Sequence, residues 1–129
     1  MNNAKREELI RNFIDAYNRM DVEQMLESLE ENVVFINRVQ GETNLTLEGK
    51  NAFRKQAESA LKLFSDRRQS ILSIAHLTLF TKVAIRFFGI LNVNYSNELL
   101  KGDALNLKAV SWFYFGNAGI VKIVDETDQ

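Results

Sequence analysis

The sequence predicts an α+β domain of three helices and about six strands in an antiparallel-rich sheet. Three observations carry this. The run Phe13-Ile-Asp-Ala-Tyr-Asn-Arg-Met-Asp21 leading to Leu29-Glu-Glu-Asn-Val33-Val-Phe35 reads as a helix, a sharp break, a short second helix and a strand. After Phe64 the apolar period changes from helical spacing to two and stays there. Gly116-Asn-Ala-Gly119 then supplies the residues that a tight closing hairpin needs. An α-α-β-β-α-β-β-β-β order is a meander with helices, not the strict alternation of a parallel α/β sheet.

Helix one is expected from Ala4 to Met20, where Leu9, Ile10, Phe13, Ile14 and Tyr17 form one apolar stripe. Glu7 and Glu8 lie near its start, which the helix dipole favours. Asp21 is the expected N-cap of helix two, with Gln24 three residues on and Met20 and Met25 at staple spacing. Helix two buries Val22, Met25, Leu26 and Leu29 and is expected to end in Glu30-Glu31-Asn32. Val33 to Asn37 is strand one, and Leu45-Thr-Leu47 is a short second strand ended by Gly49. Phe53, Ala57, Ala60, Leu61 and Phe64 define helix three from Asn51 to Phe64. Four longer strands follow: Arg67 to Leu77, Lys82 to Asn94, Ala104 to Phe115, and Ile120 to Asp125.

The 129 residues fit one domain spanning residues 1–129, and the 46% apolar content is enough for a core without metal or disulfide support. The absence of cysteine excludes thiolate nucleophiles and zinc–thiolate sites. Sixteen basic and 17 acidic residues, scattered without long runs, give a net charge of -1. That balance argues against a nucleic-acid partner. No secretory h-region or membrane-length apolar run is visible, so a cytoplasmic protein without membrane contact is expected. No His/Asp/Glu cluster has metal-ligand spacing and no glycine loop suits a phosphate, so no cofactor is expected.

In the strand Ala104–Phe115, the row Leu105, Leu107, Ala109, Ser111, Phe113 and Phe115 is expected to face the helices. The opposite row ends in Trp112 and Tyr114, residue types enriched at interfaces. A homodimer through this outer face is therefore expected, with Arg86 lying over Trp112 or Tyr114. The alternative is a monomer in which Trp112 packs under a loop or the chain terminus.

Three segments together resemble the nuclear-transport-factor-two-like superfamily, which includes ketosteroid isomerases and SnoaL-like polyketide cyclases. They are Phe13–Asp21 leading to Leu29–Phe35, Leu47-Glu-Gly49-Lys-Asn-Ala-Phe53-Arg, and Phe113-Tyr-Phe115-Gly-Asn-Ala-Gly119-Ile-Val-Lys-Ile123. The resemblance implies a cone of curved sheet around three helices, enclosing a pocket and usually dimeric. Members include enzymes and pure binding modules, so the fold does not fix the function. Ketosteroid isomerases use an Asp base with a Tyr and a protonated Asp as oxyanion donors. Matched segment by segment, the Tyr position falls at Phe13, the base at Asn37 and the second donor at Ser111. Losing one donor costs about 2.7–4 kcal/mol of barrier, so ketosteroid isomerase activity of the usual kind is not expected.

The expected ligand-binding set is Phe13, Tyr17, Phe35, Asn37, Ala109, Ser111 and Phe113, around a cavity without catalytic proton-handling groups. Asn37 and Ser111 either orient a ligand or are satisfied locally. Tyr17 either lends its hydroxyl to the cavity or is a core tyrosine with its hydroxyl at the rim. His76 is the sole histidine, read as a rim residue beside a turn. Residues 92–103 read as an extended hairpin, with a lid as the alternative. A small apolar ligand or an association role is the leading expectation; a small-molecule isomerase, cyclase or hydratase is the other.

Overall fold

The computed structural model describes residues 1–127. Its elements in chain order are α1 (Asn3–Asn18), α2 (Val22–Glu27), β1 (Leu29–Val39), β2 (Glu42–Glu48), α3 (Lys50–Ala60), β3 (Phe64–His76), β4 (Thr81–Leu91), β5 (Ala104–Phe115) and β6 (Ile120–Thr127). The strands form one six-stranded sheet in the order β2-β1-β6-β5-β4-β3. Every pairing is antiparallel except β1 with β6. Register shifts at Leu29/Val34, Asn37/Arg38, Phe64/Asp66, Ile71/Ser73 and Tyr114/Phe115 curve the sheet around the helices.

The apolar stripe of α1 forms the centre of the core. Ile10, Phe13 and Ile14 pack with Val83 and Ile85 of β4, Phe113 of β5 and Ile123 of β6. The Phe13 ring meets Phe113 edge-on at 6.2 Å and Phe53 of α3 at 6.0 Å. Asn2 caps α1, its side chain accepting from the Lys5 N–H at 2.8 Å. Glu7 and Glu8 lie beyond the first turn and pair with Arg11 and Lys5. At the other end Met20 adopts φ 58°, so that the Asp21 N–H reaches the Ala16 carbonyl and the Met20 N–H the Tyr17 carbonyl. This closes α1 as a Schellman turn without glycine. Asp21 at once caps α2, accepting from the Gln24 N–H at 3.1 Å.

Most element ends differ from expectation by one to four residues, and at two of them a segment expected to be helical is strand instead. Glu30, Glu31 and Asn32 belong to β1 rather than to α2, because Leu29 already pairs with Ile120. The Glu30 carboxylate bridges the β5–β6 turn, accepting from the Ala118 and Gly119 N–H groups at 3.1 Å each. Helix three ends at Ala60, and Phe64 opens β3 against Leu91.

On the outer face the expected place of Arg86 is also corrected. Cross-strand register puts Lys82 opposite Trp112, Lys122 opposite Tyr114, and Arg86 opposite Lys108. The cations over the two rings are accordingly Lys82, 6.0 Å from Trp112, and Lys122, 5.1 Å from Tyr114. Arg86 instead donates to the Asn106 side-chain oxygen at 3.2 Å. Residues 92–103 fold back on themselves as a hairpin. Ser96, Asn94 and Asp103 accept from backbone N–H groups inside the loop, and none of its residues lines the cavity between the helices and the sheet.

Candidate functional site

Between the helices and the concave sheet face lies a cavity of about 280 Å³. Phe13 and Tyr17 of α1, Met25 of α2, Phe35 of β1, Leu45 and Leu47 of β2, and Phe53, Ala57 and Ala60 of α3 make it apolar. Asn37, Gln56, Arg67, Gln69 and Asp125 supply its polar groups. This is the usual composition of a small-molecule site: apolar walls with a few convergent polar side chains.

The sheet register explains the polar side of the cavity. Asp125 on β6 stands opposite Ser111 on β5 and beside Asn37 on β1. Side chains at paired positions share a face, so the three form one inward polar row. Ser111 is 4% exposed and donates its hydroxyl to Asp125 Oδ1 at 2.5 Å. Burial pushes the Asp125 carboxyl up to about 6, and the Ser111 hydrogen bond works against that rise. Asn37 donates to the Asn44 side-chain oxygen at 2.9 Å, across the β1–β2 edge.

The opposite wall is set by the end of α1. The Asn18 side chain behaves as one more strand residue: it accepts from the Gln69 N–H at 2.7 Å and donates to the Gln69 carbonyl at 3.0 Å. Two residues earlier on β3, Arg67 is 4% exposed. Its Nε and Nη2 donate to the Tyr17 carbonyl at 3.3 and 3.1 Å, and its guanidinium sits 3.7 Å from the centre of the Tyr17 ring. Burial lowers the arginine's affinity for its proton and raises the Tyr17 hydroxyl to about 12, so the phenol stays neutral at any working pH.

Of the residues expected from sequence, Phe13, Tyr17, Phe35 and Asn37 line the cavity together. Ser111 and Phe113 lie one layer behind it, Ser111 acting on it through Asp125 and Phe113 through the Phe13 ring. Ala109 borders a separate depression with Trp112 and Lys82. His76 is remote from the cavity wall; its Nδ1 lies 3.0 Å from the Thr81 hydroxyl and its Nε2 3.7 Å from Glu7. Sequence reasoning missed Asp125 and Arg67. The signal for Asp125 was strand parity, since a residue two beyond the inward Ile123 must also face inward. Arg67 carried no comparable signal, because its place depends on where α1 ends.

Among the described residues, no group of three or more His, Cys, Asp or Glu side chains is arranged to hold a metal ion. No helix among them is long and apolar enough to cross a membrane. The fold and cavity thus define an α+β cone with a half-open cavity between helices and sheet, on whose wall burial raises the Asp125 carboxyl. Residues 10–125 match the model of the SnoaL-like domain, and the chain belongs to that family. No match was found among curated proteins.

Solved structures share the fold at low identity. A proposed SnoaL-like polyketide cyclase from Jannaschia sp. CCS1 is 12% identical, covering 97% of this chain and 86% of that one, with a TM-score of 0.82. An NTF2-like protein of unknown function from Burkholderia pseudomallei K96243 is 19% identical, covering 99% and 92%, with a TM-score of 0.80. A protein with a ketosteroid isomerase-like fold from Catenulispora acidiphila DSM 44928, solved with trimethylamine, is 7% identical, covering 92% and 83%, with a TM-score of 0.74.

Proposed function

We propose that this chain binds a small, largely apolar carbonyl compound in the cavity and moves a proton on it with Asp125, as an isomerase or cyclase does. The observation that carries this reading is the Asp125 carboxyl on the cavity wall, held by Ser111 and raised to about 6. Such a group is mostly ionised at neutral pH yet basic enough to accept a proton, the condition for an efficient general base. Asp125 would take a proton from carbon beside the carbonyl, the C–H electron pair moving to leave an enolate. The neutral Tyr17 hydroxyl would donate to the enolate oxygen. Return of the proton to another carbon of the conjugated enolate gives isomerisation; attack of the enolate carbon on a second carbonyl gives ring closure, the alkoxide so formed taking the proton back from Asp125.

This differs from the ketosteroid isomerase arrangement, because the carboxylate comes from β6 between the positions of Asn37 and Ser111. The test is deuterium exchange at the acidic C–H of small cyclic ketones and diketones, followed by NMR. Exchange catalysed by the wild type and lost in Asp125→Asn supports the reading; binding without exchange replaces it with the second one. That second reading is a non-catalytic receptacle, favoured by Phe13, which offers no donor, and by Asn37, whose amide is engaged with Asn44.

We also propose that the outer sheet face pairs with a second copy of the chain. Leu72, Ala84, Val110 and Trp112 form an apolar depression there, and its rim carries both signs of charge in Lys82, Lys108 and Glu126. A face with both signs can complement itself across a two-fold axis. Native mass spectrometry of wild type and Trp112→Lys tests this, with a dimer expected for the former and a monomer for the latter.

A further inference from the structure

The buried Arg67 is the feature that the proton-transfer reading leaves unexplained. An arginine taken out of water is costly unless it is paired, and buried charges are ordinarily matched by a carboxylate. Arg67 forms no ion pair with a carboxylate among the described residues. Asp125 lines the same cavity, yet it is bonded to Ser111 rather than to Arg67. Among the described residues, what faces Arg67 is Tyr17 alone: its ring, its neutral hydroxyl, and its carbonyl at the C-terminal end of α1, none of which carries a full negative charge. A helix C-terminus offers roughly half an elementary negative charge. The guanidinium is therefore only partly compensated, and it borders the cavity with part of its fork uncommitted to the Tyr17 carbonyl.

We propose that Arg67 is the anchor for an anionic group on the ligand, so that the cavity takes small aromatic or conjugated carboxylates. This rests on the reading of the cavity as a small-molecule site and names the class of molecule. The two poles divide the work. Arg67 fixes the carboxylate end, since a planar fork suits a carboxylate and is stiffened here by its stacking on Tyr17. Phe13, Phe35 and Phe53 flank the ring system, and Asp125 meets the other end. Asp125 disfavours an anion on its own side of the cavity, which sets the ligand's direction. A neutral ligand would leave Arg67 dehydrated and half-paired.

The experiment compares 2-naphthoate with 2-naphthamide, equal in shape and differing in charge, by the fluorescence of the naphthyl group. The wild type is expected to bind the naphthoate about tenfold more tightly or better, the range of a charge-assisted hydrogen bond over a neutral one. Arg67→Met should remove the preference, while Asp125→Asn should keep or enlarge it. The Arg67 Nε–H NMR signal supplies a second readout should Arg67→Met fail to fold. It should move with naphthoate and far less with naphthamide. Equal affinities in the wild type, or a preference that survives in Arg67→Met, would overturn the anchor and leave the cavity reading intact. Failure of both probes to bind would overturn the anchor together with the small-molecule cavity.

Discussion

Ser111 and Asp125 stand opposite each other on β5 and β6, joined by a 2.5 Å hydrogen bond from the serine hydroxyl to Asp125 Oδ1. The pair converts two unremarkable strand residues into a tuned group. Burial alone would drive the carboxyl neutral; the hydroxyl restrains that drive, leaving it to titrate at about 6. The cavity wall thus carries a carboxyl that changes charge just below neutrality.

Ser111→Ala removes the restraint without adding bulk. The Asp125 carboxyl is expected to titrate above its wild-type value of about 6, since the lost hydrogen bond favoured the charged form. Carbon-13 NMR of the Asp125 side chain across pH 4 to 9 measures this directly. A titration point unchanged or lowered in Ser111→Ala contradicts the account. Any activity that depends on ionised Asp125 should move its acid limb to higher pH by the same amount.

Asp125 also links stability to pH. Its carboxyl ionises near 3.8 when unfolded and near 6 when folded, so between those values the folded chain holds more protons. Stability therefore falls as pH rises through this window and levels off above it. The two-unit difference corresponds to on the order of 3 kcal/mol. Asp125→Asn removes this contribution and is expected to be more stable than the wild type at pH 8, with the two converging near pH 4. Urea denaturation at both pH values checks it. On the proposed reading the same substitution should also abolish deuterium exchange into ligand, the pattern expected of a functional group held at a cost to the fold.

Most of the fold was legible because local chemistry and period agree. The Asp21 cap, the α1 stripe and the Gly116–Gly119 turn each act over a few residues, and each is where the sequence puts it. The strand Ala104–Phe115 matches β5 end to end. The errors arose where a distant segment decides. Glu30 reads as a helix end but is drawn into β1 by Ile120 and by the amides it binds at the closing turn. Arg86 was assigned to the right face, but the register with β5 determines which ring a cation meets. For the cavity, the apolar half was visible in the stripes; of the polar half, only Asn37 was. Asp125 was read as the polar end of a strand that in fact continues to Thr127, and Arg67 depends on the unwinding of α1.

Gly89 has a packing reason to lack a side chain. A Cβ there would come within 2.8 Å of both the Phe64 and Phe87 rings, which pack edge-on at 5.3 Å. Gly89→Ala is expected to cost about 1 kcal/mol, the low end of overpacking, because both rings are half-buried and can shift toward solvent. A thermal melt checks it, and Phe64→Leu in the same chain should recover part of the loss by making room.

Glu30 holds the closing hairpin from outside it. Its carboxylate accepts from two consecutive amides, Ala118 and Gly119, while the Gly116 N–H bonds the Gly119 carbonyl and the Ile120 N–H bonds the Ser28 carbonyl. These contacts fix the point at which β6 enters beside β1, and so the register that carries Asp125 into the cavity. Glu30→Ala leaves two turn amides to water and removes charge-assisted bonds. A loss of about 1–2 kcal/mol is expected, moderated because the site is partly open to solvent. Glu30→Gln keeps an acceptor and should lose less. Hydrogen exchange separates this from a general loosening: Ala118 and Gly119 should exchange faster in Glu30→Ala by more than the change in global stability accounts for. Uniform acceleration across β5 and β6 would instead mean that the carboxylate supports the whole sheet edge rather than the turn.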